Sequence, residues 1–427
     1  MRVLVLAESC NPGWESVPLV GWSHYHAIAQ VAETHLVTRS WNRENLVGAG
    51  LIEERDFTCI DTSALHDPVQ RLVTAISGPN KGYAMLTALA MPSYLLLEHL
   101  AWRRFGPAIR AGAYDVVHRI TPVSPAIPSP MAPRCAAAGV PFVLGPINGG
   151  LPWPAEFPDL RRQEREPLSR LRGAYRYVPG YRSTRNSASA IVVGSRGAMA
   201  DLEPRWRDKA VLLAENAVEP DRFPMPAPRA PGSYGRPLAC VFLGRLVPFK
   251  GADMVLDAAA PLLQSGAITL GIIGFGPEEA ALRSQAEGLG IAELVVWHGK
   301  VPHPEIAAIL ARADVLAFPS LREFGGGAVL ECMASGVVPV VLDYGGPAEL
   351  ITPECGVALP LAPRAQIVAS LQATLARLAA DPTSLAAMAA AGVARVARHF
   401  TWPAKAQQML QIYAWARGER GKPVFHD

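Results

Sequence analysis

Residues 314–343, DVLAFPSLREFGGGAVLECMASGVVPVVLD, decide the fold of this chain. The apolar runs at both ends are typical of buried parallel strands, and the middle has the length and pattern of one helix. Gly336 is placed to end that helix before the second strand. Three consecutive glycines, 325–327, precede the helix and allow a backbone to approach a ligand closely. The stretch therefore predicts a strand–helix–strand unit with a glycine-rich loop after its first strand.

The same alternation of strands and helices extends along the whole chain. The strand-like runs are RVLVLAE, THLVT, YDVVH, VPFVLG, SAIVVGS, LACVFLGR, AITLGIIG, ELVVWHG, DVLAFPS and VVPVVLD. Between the fifth and the sixth run, residues 223–237 contain five prolines and suit an exposed connector. We therefore predict an α/β fold with two Rossmann-like, doubly wound domains, residues 1–222 and 238–402, facing across a cleft that binds the ligand.

Composition excludes several classes of protein. The chain has 427 residues, 50% hydrophobic and 18% charged, which excludes disorder, and its net charge of +3 is too mild for nucleic-acid binding. The longest apolar stretch, 84–97, is interrupted by Pro92 and is too short to span a bilayer, and the N-terminus lacks signal-peptide features. Six scattered cysteines without metal-ligand spacing predict a cytoplasmic protein with reduced thiols and no metal.

The loop after the run LACVFLGR contains two cations at the start of a helix. Arg245 follows the strand directly, and Lys250 and Gly251 open the next helix. A diphosphate needs positive charge and backbone N–H donors, and a strand–loop–helix junction of this kind supplies both. The alternative is a solvated loop with ordinary surface charges, which is the commoner origin of an isolated pair of this spacing.

Two glutamates bracket the glycine-rich loop of the decisive stretch. Glu323 precedes the glycines, and Glu331 follows them with seven residues between the two. We expect Glu331 in the first turn of the helix, where its carboxylate could accept hydrogen bonds from a ribose diol. The alternative for Glu331 is an acidic residue that stabilises the helix N-terminus without binding any ligand.

These segments resemble a known enzyme family. GRLVPFKG, GFGPEEAAL, HGKVPHPEIAAILARADVLAFPS, EFGGGAVLECMASG and GGPAELI occur in the order and spacing of the retaining glycosyltransferases of family 4. The resemblance implies the GT-B fold, a nucleotide-sugar donor such as a UDP- or GDP-sugar in the C-terminal domain, and an acceptor mainly in the N-terminal one. It implies no cofactor and no metal. The run FTWPAKAQQMLQIYAWARG resembles the family's last segment, a helix at about residues 403–420 that returns to the N-terminal domain.

The resemblance also implies roles for individual residues. Arg245 and Lys250 would bind the donor diphosphate and stabilise charge on the departing nucleotide. Glu323 and the backbone from Phe324 through Gly325 and Gly326 to Gly327 would hold the sugar hydroxyls. Glu331 would bind the ribose, and the backbone around Val301 would face the base. In the family an aromatic residue stands two positions after the first glutamate, whereas Phe324 follows Glu323 directly.

The N-terminal half matches the family less closely. Gly21, in the loop predicted after the first strand and before a helix from Trp22 to Ala32, would let the backbone approach the donor sugar. His118 matches the first histidine of the family's Asp-x-x-His-x-His segment, and Ile120 stands in place of the second. We consider His118 a candidate catalytic residue, with a buried structural imidazole as the equal alternative. His24 and His26 are weaker candidates for acceptor contacts.

Residues 161–185 contain eight arginines and two glutamates, with apolar residues at helical spacing. Such a helix could contact an anionic membrane at its inner face, or guide a lipid-linked acceptor. The alternative is a helix packed on its own domain with arginines in water. From all these observations the predicted function is hexosyl transfer to a saccharide, lipid-linked or small-molecule acceptor, in exopolysaccharide or glycoconjugate synthesis. A catalytically silent nucleotide-sugar-binding partner and a sugar-nucleotide epimerase are the alternatives.

Overall fold

The structure is a computed structural model and forms two compact units. It describes residues 1–68, 83–149, 151–163, 173–227, 234, 237–381 and 383–425. The N-terminal unit comprises Met1–Gly150, Glu164–Glu215 and Trp402–Asp427. The C-terminal unit comprises Leu151–Gln163 and Asn216–Thr401. Residues 228–233, 235 and 236 of the expected connector lie outside the described residues.

The N-terminal unit is built on a seven-stranded parallel sheet with the order β3-β2-β1-β4-β5-β6-β7. Its strands are Arg2–Ala7 (β1), Glu33–Arg39 (β2), Phe57–Ile60 (β3), Val116–Thr121 (β4), Phe142–Ile147 (β5), Ala190–Val193 (β6) and Ala210–Leu212 (β7). The direction of strand order reverses between β1 and β4, so the loops that follow these two strands lie at the switch point of the sheet.

The C-terminal unit repeats this design with six parallel strands in the order β10-β9-β8-β11-β12-β13. Its strands are Leu238–Leu243 (β8), Ile268–Ile273 (β9), Val295–Gly299 (β10), Val315–Phe318 (β11), Val338–Leu342 (β12) and Val357–Leu359 (β13). Here the order reverses between β8 and β11. The loops after these strands contain the diphosphate candidates and the first glutamate, so the switch point is the place to look for a ligand site.

Helices flank both sheets. In chain order they are Val17–Ala29 (α1), Arg43–Gly48 (α2), Tyr83–Arg110 (α3), Met131–Ala137 (α4), Pro158–Gln163 (α5), Tyr181–Ser187 (α6), Arg196–Asp201 (α7), Pro204–Arg207 (α8), Ala252–Gln264 (α9), Glu279–Gly288 (α10), His303–Leu310 (α11), Gly327–Ala334 (α12), Gly346–Leu350 (α13), Arg364–Ala380 (α14), Thr383–His399 (α15) and Trp402–Ala416 (α16). None of the helices among the described residues is long and apolar enough to cross a membrane. The predicted α/β class with two doubly wound sheets is confirmed.

Alternation along the strands of the N-terminal unit divides its core into two layers. Leu4 and Leu6 of β1 belong to a buried cluster with residues of α3 and α4. Val3 and Val5 belong to another cluster with residues of α1 and α16. Successive side chains of a strand point to opposite faces, so the fully apolar sequence of β1 follows from burial on both faces. The last helix, α16, lies in the N-terminal unit and packs on α1.

The first helix differs from the sequence expectation. The pattern predicts a helix from Trp22 to Ala32, but α1 begins at Val17, since Pro18 occupies its first turn, where a missing N–H costs nothing. Gly21 therefore lies inside a helix and not in a loop. A Cβ atom at Gly21 would stand 2.1 Å from the carbonyl oxygen of Ser9, so the helix packs directly against backbone at this point.

The basic stretch 161–185 does not form one continuous amphipathic helix. Residues 164–172 lie outside the described ones, and the four residues Ala174–Tyr177 are a short 3-10 helix, separated from α6 by Gly180 with φ of 91°. The Arg185 guanidinium is buried 3.6 Å from the centre of the Tyr181 ring. This arginine therefore packs inside the unit and does not contribute to a basic outer face.

Candidate functional site

The loop after β8 turns tightly into α9. Pro248–Lys250 form one 3-10 turn, and Gly251 caps α9 with a left-handed φ of 77°. A Cβ atom at Gly251 would stand 2.6 Å from the carbonyl oxygen of Pro319, in the loop after β11. A glycine is therefore required both by the backbone angle and by the close approach of the two switch-point loops.

The Gly274–Gly276 loop after β9 packs on the same region. A Cβ atom at Gly274 would stand 1.8 Å from the carbonyl oxygen of Gly244, and one at Gly276 would stand 2.2 Å from that of Leu246. The Leu246 N–H donates to the carbonyl of Phe275 at 3.0 Å. This Gly-x-Gly pattern is thus explained by loop-to-loop packing, which holds the diphosphate-candidate loop in place.

The glycine-rich loop before α12 is fixed through Glu323. Its carbonyl oxygen accepts a 3.0 Å hydrogen bond from the Gly346 N–H, and its carboxylate Oε1 accepts one from the Gly326 N–H at 3.3 Å. Gly326 caps α12 with a left-handed φ of 59°. The side chain of Glu323 is therefore ordered by its own loop before any ligand arrives.

Lys250 and Glu323, 73 residues apart, form an ion pair at this switch point. Their side chains are only 16% and 19% exposed, and the Lys250 ammonium lies 5.3 Å from the centre of the Phe318 ring. Burial, helped by the nearby charge of Arg245, lowers the pKa of Lys250 to about 8. The ammonium is still mainly protonated at neutral pH, and the carboxylate of Glu323 favours that charged form.

The other predicted donor residues lie in the same unit. Arg245 is exposed and makes no ion pair with any residue that the structure describes. Val301 is half-buried just after β10, and Phe324 lies under the Arg322 guanidinium at 5.7 Å. The expectation that Glu331 lies in the first turn of its helix is wrong: α12 begins at Gly327, so Glu331 is in the second turn, half-buried. The helix starts early because Gly326 adopts the capping conformation.

His118 lies in β4 of the N-terminal unit and is completely buried. Its Nε2 is 2.6 Å from the carbonyl oxygen of Gly145 and its Nδ1 is 2.7 Å from the Tyr413 hydroxyl. A carbonyl only accepts, so Nε2 carries the proton and Nδ1 accepts from Tyr413. Burial lowers the pKa of His118 to about 4. These contacts favour the structural alternative for this imidazole.

The N-terminal unit also contains buried polar side chains, His24 and Lys405, that sequence reasoning did not place in its interior. The His24 Nε2 lies 2.8 Å from the carbonyl oxygen of Glu215, and burial lowers the pKa of His24 to about 3. Lys405 of α16 is 1% exposed, and burial lowers its pKa to about 7 against the raising effect of Glu215. His24, suggested above as an acceptor contact, is therefore inside the unit, while His26 is exposed. Within the described ranges, no group of three or more His, Cys, Asp or Glu side chains is arranged to hold a metal ion.

Comparison with known proteins gives consistent matches. The model of the family described as glycosyl transferases group 1 matches residues 227–392. A D-inositol 3-phosphate glycosyltransferase of Frankia alni is 30% identical over 328 residues, which cover 71% of this chain and 75% of the relative. An enzyme of the same name from Segniliparus rotundus is 33% identical over 220 residues, 48% of this chain. That alignment spans only 43% of the Segniliparus protein.

Solved structures share the fold. The crystal structure of Anabaena Alr3699/HepE in complex with UDP superposes with a TM-score of 0.61, covering 96% of this chain and 99% of that one. The sequence identity is 16%, so this similarity concerns the fold alone. The two doubly wound units are those of the GT-B fold.

Proposed function

Because this chain belongs to the glycosyl transferases group 1 family, we propose that it transfers a hexosyl unit from a nucleotide-diphosphate sugar to a hydroxyl acceptor. The observation that supports this most directly is the Lys250–Glu323 pair at the switch point of the C-terminal sheet, with the exposed Arg245 beside it. Two cations and one ordered carboxylate in this place match the charges of a sugar diphosphate and its hydroxyl groups.

In this proposal the donor lies against the C-terminal unit. Arg245 and Lys250 bind the diphosphate, Glu323 and the backbone of residues 324–327 hold the sugar hydroxyls, Glu331 binds the ribose, and the backbone of Val301 faces the base. When the diphosphate arrives, the Lys250 ammonium exchanges one anionic partner for another. Glu323 is then available to accept hydrogen bonds from the sugar.

The chemistry follows from where charge develops. As the bond between the sugar and the diphosphate breaks, negative charge grows on the departing nucleotide, and the two fixed cations stabilise it. The Glu323 carboxylate is paired with Lys250 and the Gly326 N–H, and the sequence motif offers no second carboxylate paired with it as a nucleophile. We therefore propose a front-face displacement with retention, in which a donor phosphate oxygen takes the proton of the acceptor hydroxyl. His118 has no role in this step.

A thermal-shift screen of the full chain tests the donor assignment. UDP-, GDP-, ADP- and TDP-glucose are each added in EDTA at about 100 times the expected Kd. A bound donor then stabilises the folded state by about 2.7 kcal/mol, which raises Tm by about 3 °C if all 427 residues unfold together. We expect one nucleotide to be preferred, and Lys250→Met to lose most of the shift.

The matched control is Arg283→Met, which removes a cation of the same unit that pairs with Glu279 and stacks on Trp297. This variant should respond to the donor like the wild type. Silence towards all four nucleotides, confirmed by calorimetry, would refute the proposed donor class. Transfer is then tested with inositol phosphate, lipid-linked and saccharide acceptors, and NMR of the product anomer checks retention.

A further inference from the structure

The segment Leu151–Gln163 belongs to the C-terminal unit although its neighbours in sequence on both sides belong to the N-terminal unit. We call this segment the strap. It follows the loop after β5, and its first residues, LPWP, contain two prolines, which favour an extended backbone, and are not helical. A segment of this kind is held in place by its side-chain contacts.

One strap side chain contacts both halves of the candidate donor site. The Trp153 ring meets the Phe249 ring edge to face, with the centroids 6.2 Å apart and the planes at 83°. The Arg322 guanidinium lies over the face of the Trp153 ring, 4.8 Å from the ring centre. Phe249 directly precedes Lys250, and Arg322 directly precedes Glu323. Trp153 therefore touches the chain neighbour of each member of the ion pair.

The strap is also fastened to the loop that holds the backbone of Glu323. The Tyr344 hydroxyl donates a hydrogen bond to the carbonyl oxygen of Pro152. The Leu151 Cδ2 atom lies so close to Gly345 that a Cβ there would stand 2.9 Å from it. The next residue, Gly346, donates its N–H to the Glu323 carbonyl. The strap, the loop of residues 344–346 and the glycine-rich loop are thus joined by one continuous set of contacts.

We propose that Trp153 is a positioning residue that aligns Lys250 and Glu323 for the donor. This inference rests on the proposed function, since it names a further residue acting on the same site. The Leu321 N–H already joins the two loops by donating to the Phe249 carbonyl at 2.8 Å. An edge-to-face aromatic pair and a cation–π contact are directional, so the indole adds side-chain contacts that fix how one loop is oriented against the other. Without Trp153 both loops keep their folds and the backbone hydrogen bond between them, but they lose their shared aromatic contact, and water reaches the ion pair.

The first test needs no donor. Acylation of the Lys250 amine by acetic anhydride is measured against pH, by peptide mass spectrometry on the full chain. The charged groups facing this amine are Glu323 and Arg245, and neither is changed. We expect a midpoint near pH 8 in the wild type and, because water then solvates the ammonium, a midpoint about one pH unit higher in Trp153→Ala. Trp153→Phe should restore most of the wild-type profile.

The matched control is Trp297→Ala. Trp297 lies on β10 of the same unit and also has an arginine over its ring, Arg283 at 4.6 Å, which is its one ring contact among the described residues. Its removal should leave the Lys250 profile unchanged. Tyr344→Phe, which removes only the hydroxyl that fastens Pro152, is a milder second variant in case Trp153→Ala does not fold, and should shift the midpoint in the same direction by less.

The second test is a double-mutant cycle on kcat/KM for the donor. Trp153→Ala should lower kcat/KM about tenfold in the wild type and less than twofold when Lys250 is already methionine. Equal losses in both backgrounds, or an unchanged acylation profile in Trp153→Ala and Tyr344→Phe, would overturn the inference. An inactive wild type that binds no nucleotide would instead refute the proposed function, and the acylation profile would still decide whether Trp153 positions the pair.

Discussion

Replacing Lys250 with methionine removes one ammonium group and keeps most of the apolar side chain. In the free protein the change leaves the Glu323 carboxylate, 19% exposed, with its hydrogen bond from Gly326 but without its cation. Exposed ion pairs contribute about 0.2 to 1 kcal/mol, and breaking fully buried ones costs about 3 to 5 kcal/mol. For a pair that is mostly shielded from water we expect a stability loss of about 1 to 2 kcal/mol.

The expected effect on transfer is larger because, in the proposed function, Lys250 faces negative charge that increases during the reaction. Removal of one preorganised donor of this kind costs about 2.7 to 4 kcal/mol of transition-state stabilisation, or roughly 100- to 1000-fold in rate. The assay is steady-state transfer or donor hydrolysis at 20 °C, below the unfolding transition of the variant, with Arg283→Met as the matched control. A near-normal kcat in Lys250→Met would refute the assignment of this lysine to the leaving diphosphate.

Three further results are expected. Lys250 has a pKa of about 8 in the free protein, and in the proposed function it binds the diphosphate in its charged form. The affinity for the preferred nucleotide sugar, whose diphosphate has no ionisation near neutral pH, should therefore be flat below pH 7 and fall towards tenfold per unit above pH 8, with proton uptake on binding. Calorimetry measures both, and Lys250→Met should abolish this dependence. Gly274→Ala should destabilise the chain by about 3 kcal/mol or more, because the new Cβ collides with Gly244, whereas Gly266→Ala, with a left-handed backbone but open space, should cost only about 1 to 2 kcal/mol in urea unfolding. His118→Phe should lower stability by about 2 to 4 kcal/mol, since two buried partners lose their hydrogen bonds, yet keep kcat near the wild-type value; a selective loss of kcat would restore the catalytic role.

Much of the fold is predictable from the sequence because its strands are buried on both faces. Runs such as VLVL in β1 and VPVVL in β12 are apolar at every position, so they do not fit an amphipathic helix or a half-exposed strand. The observed ends of these strands lie within a few residues of the predicted ends. Three short strands, 57–60, 210–212 and 357–359, were missed. Each lies at or beside a sheet edge and has only three or four residues, so local pattern gives little signal, and pairing with a longer neighbour decides its conformation.

The start of each helix was harder to predict than its existence. Pro18 was interpreted as part of a loop, although proline is well suited to a first helical turn, and α1 was therefore begun five residues late. The position of Glu331 depended on whether the cap was Gly326 or a later residue, and three consecutive glycines give no preference. In both places the backbone angle of a single residue decides where the helix begins, and the residue types alone do not determine that angle.

Residues brought together from distant parts of the chain were predicted unequally. The resemblance placed Lys250 and Glu323 on one ligand, but gave no reason to expect an ion pair between them. Trp153 was missed because it lies in a run between two elements of the N-terminal unit, and a loop sequence does not state which unit it packs on. The available signal was its composition: an indole between prolines has little use in an exposed connector and indicates a docked segment.

The ion pair explains how this site is prepared before a donor binds. Ordering a lysine side chain costs up to about 2 kcal/mol of conformational entropy, and a free lysine would lose that much on each binding event. Here Glu323 already holds Lys250 in the folded protein, and Gly326 in turn holds Glu323. In the proposed function the donor diphosphate replaces a carboxylate as the partner of an ammonium that is already in position. A site built in this way binds its anion by exchanging one partner of Lys250 for another. Its affinity then depends on the geometry of the loops that contain Lys250 and Glu323, and therefore on residues such as Trp153 that contact both loops.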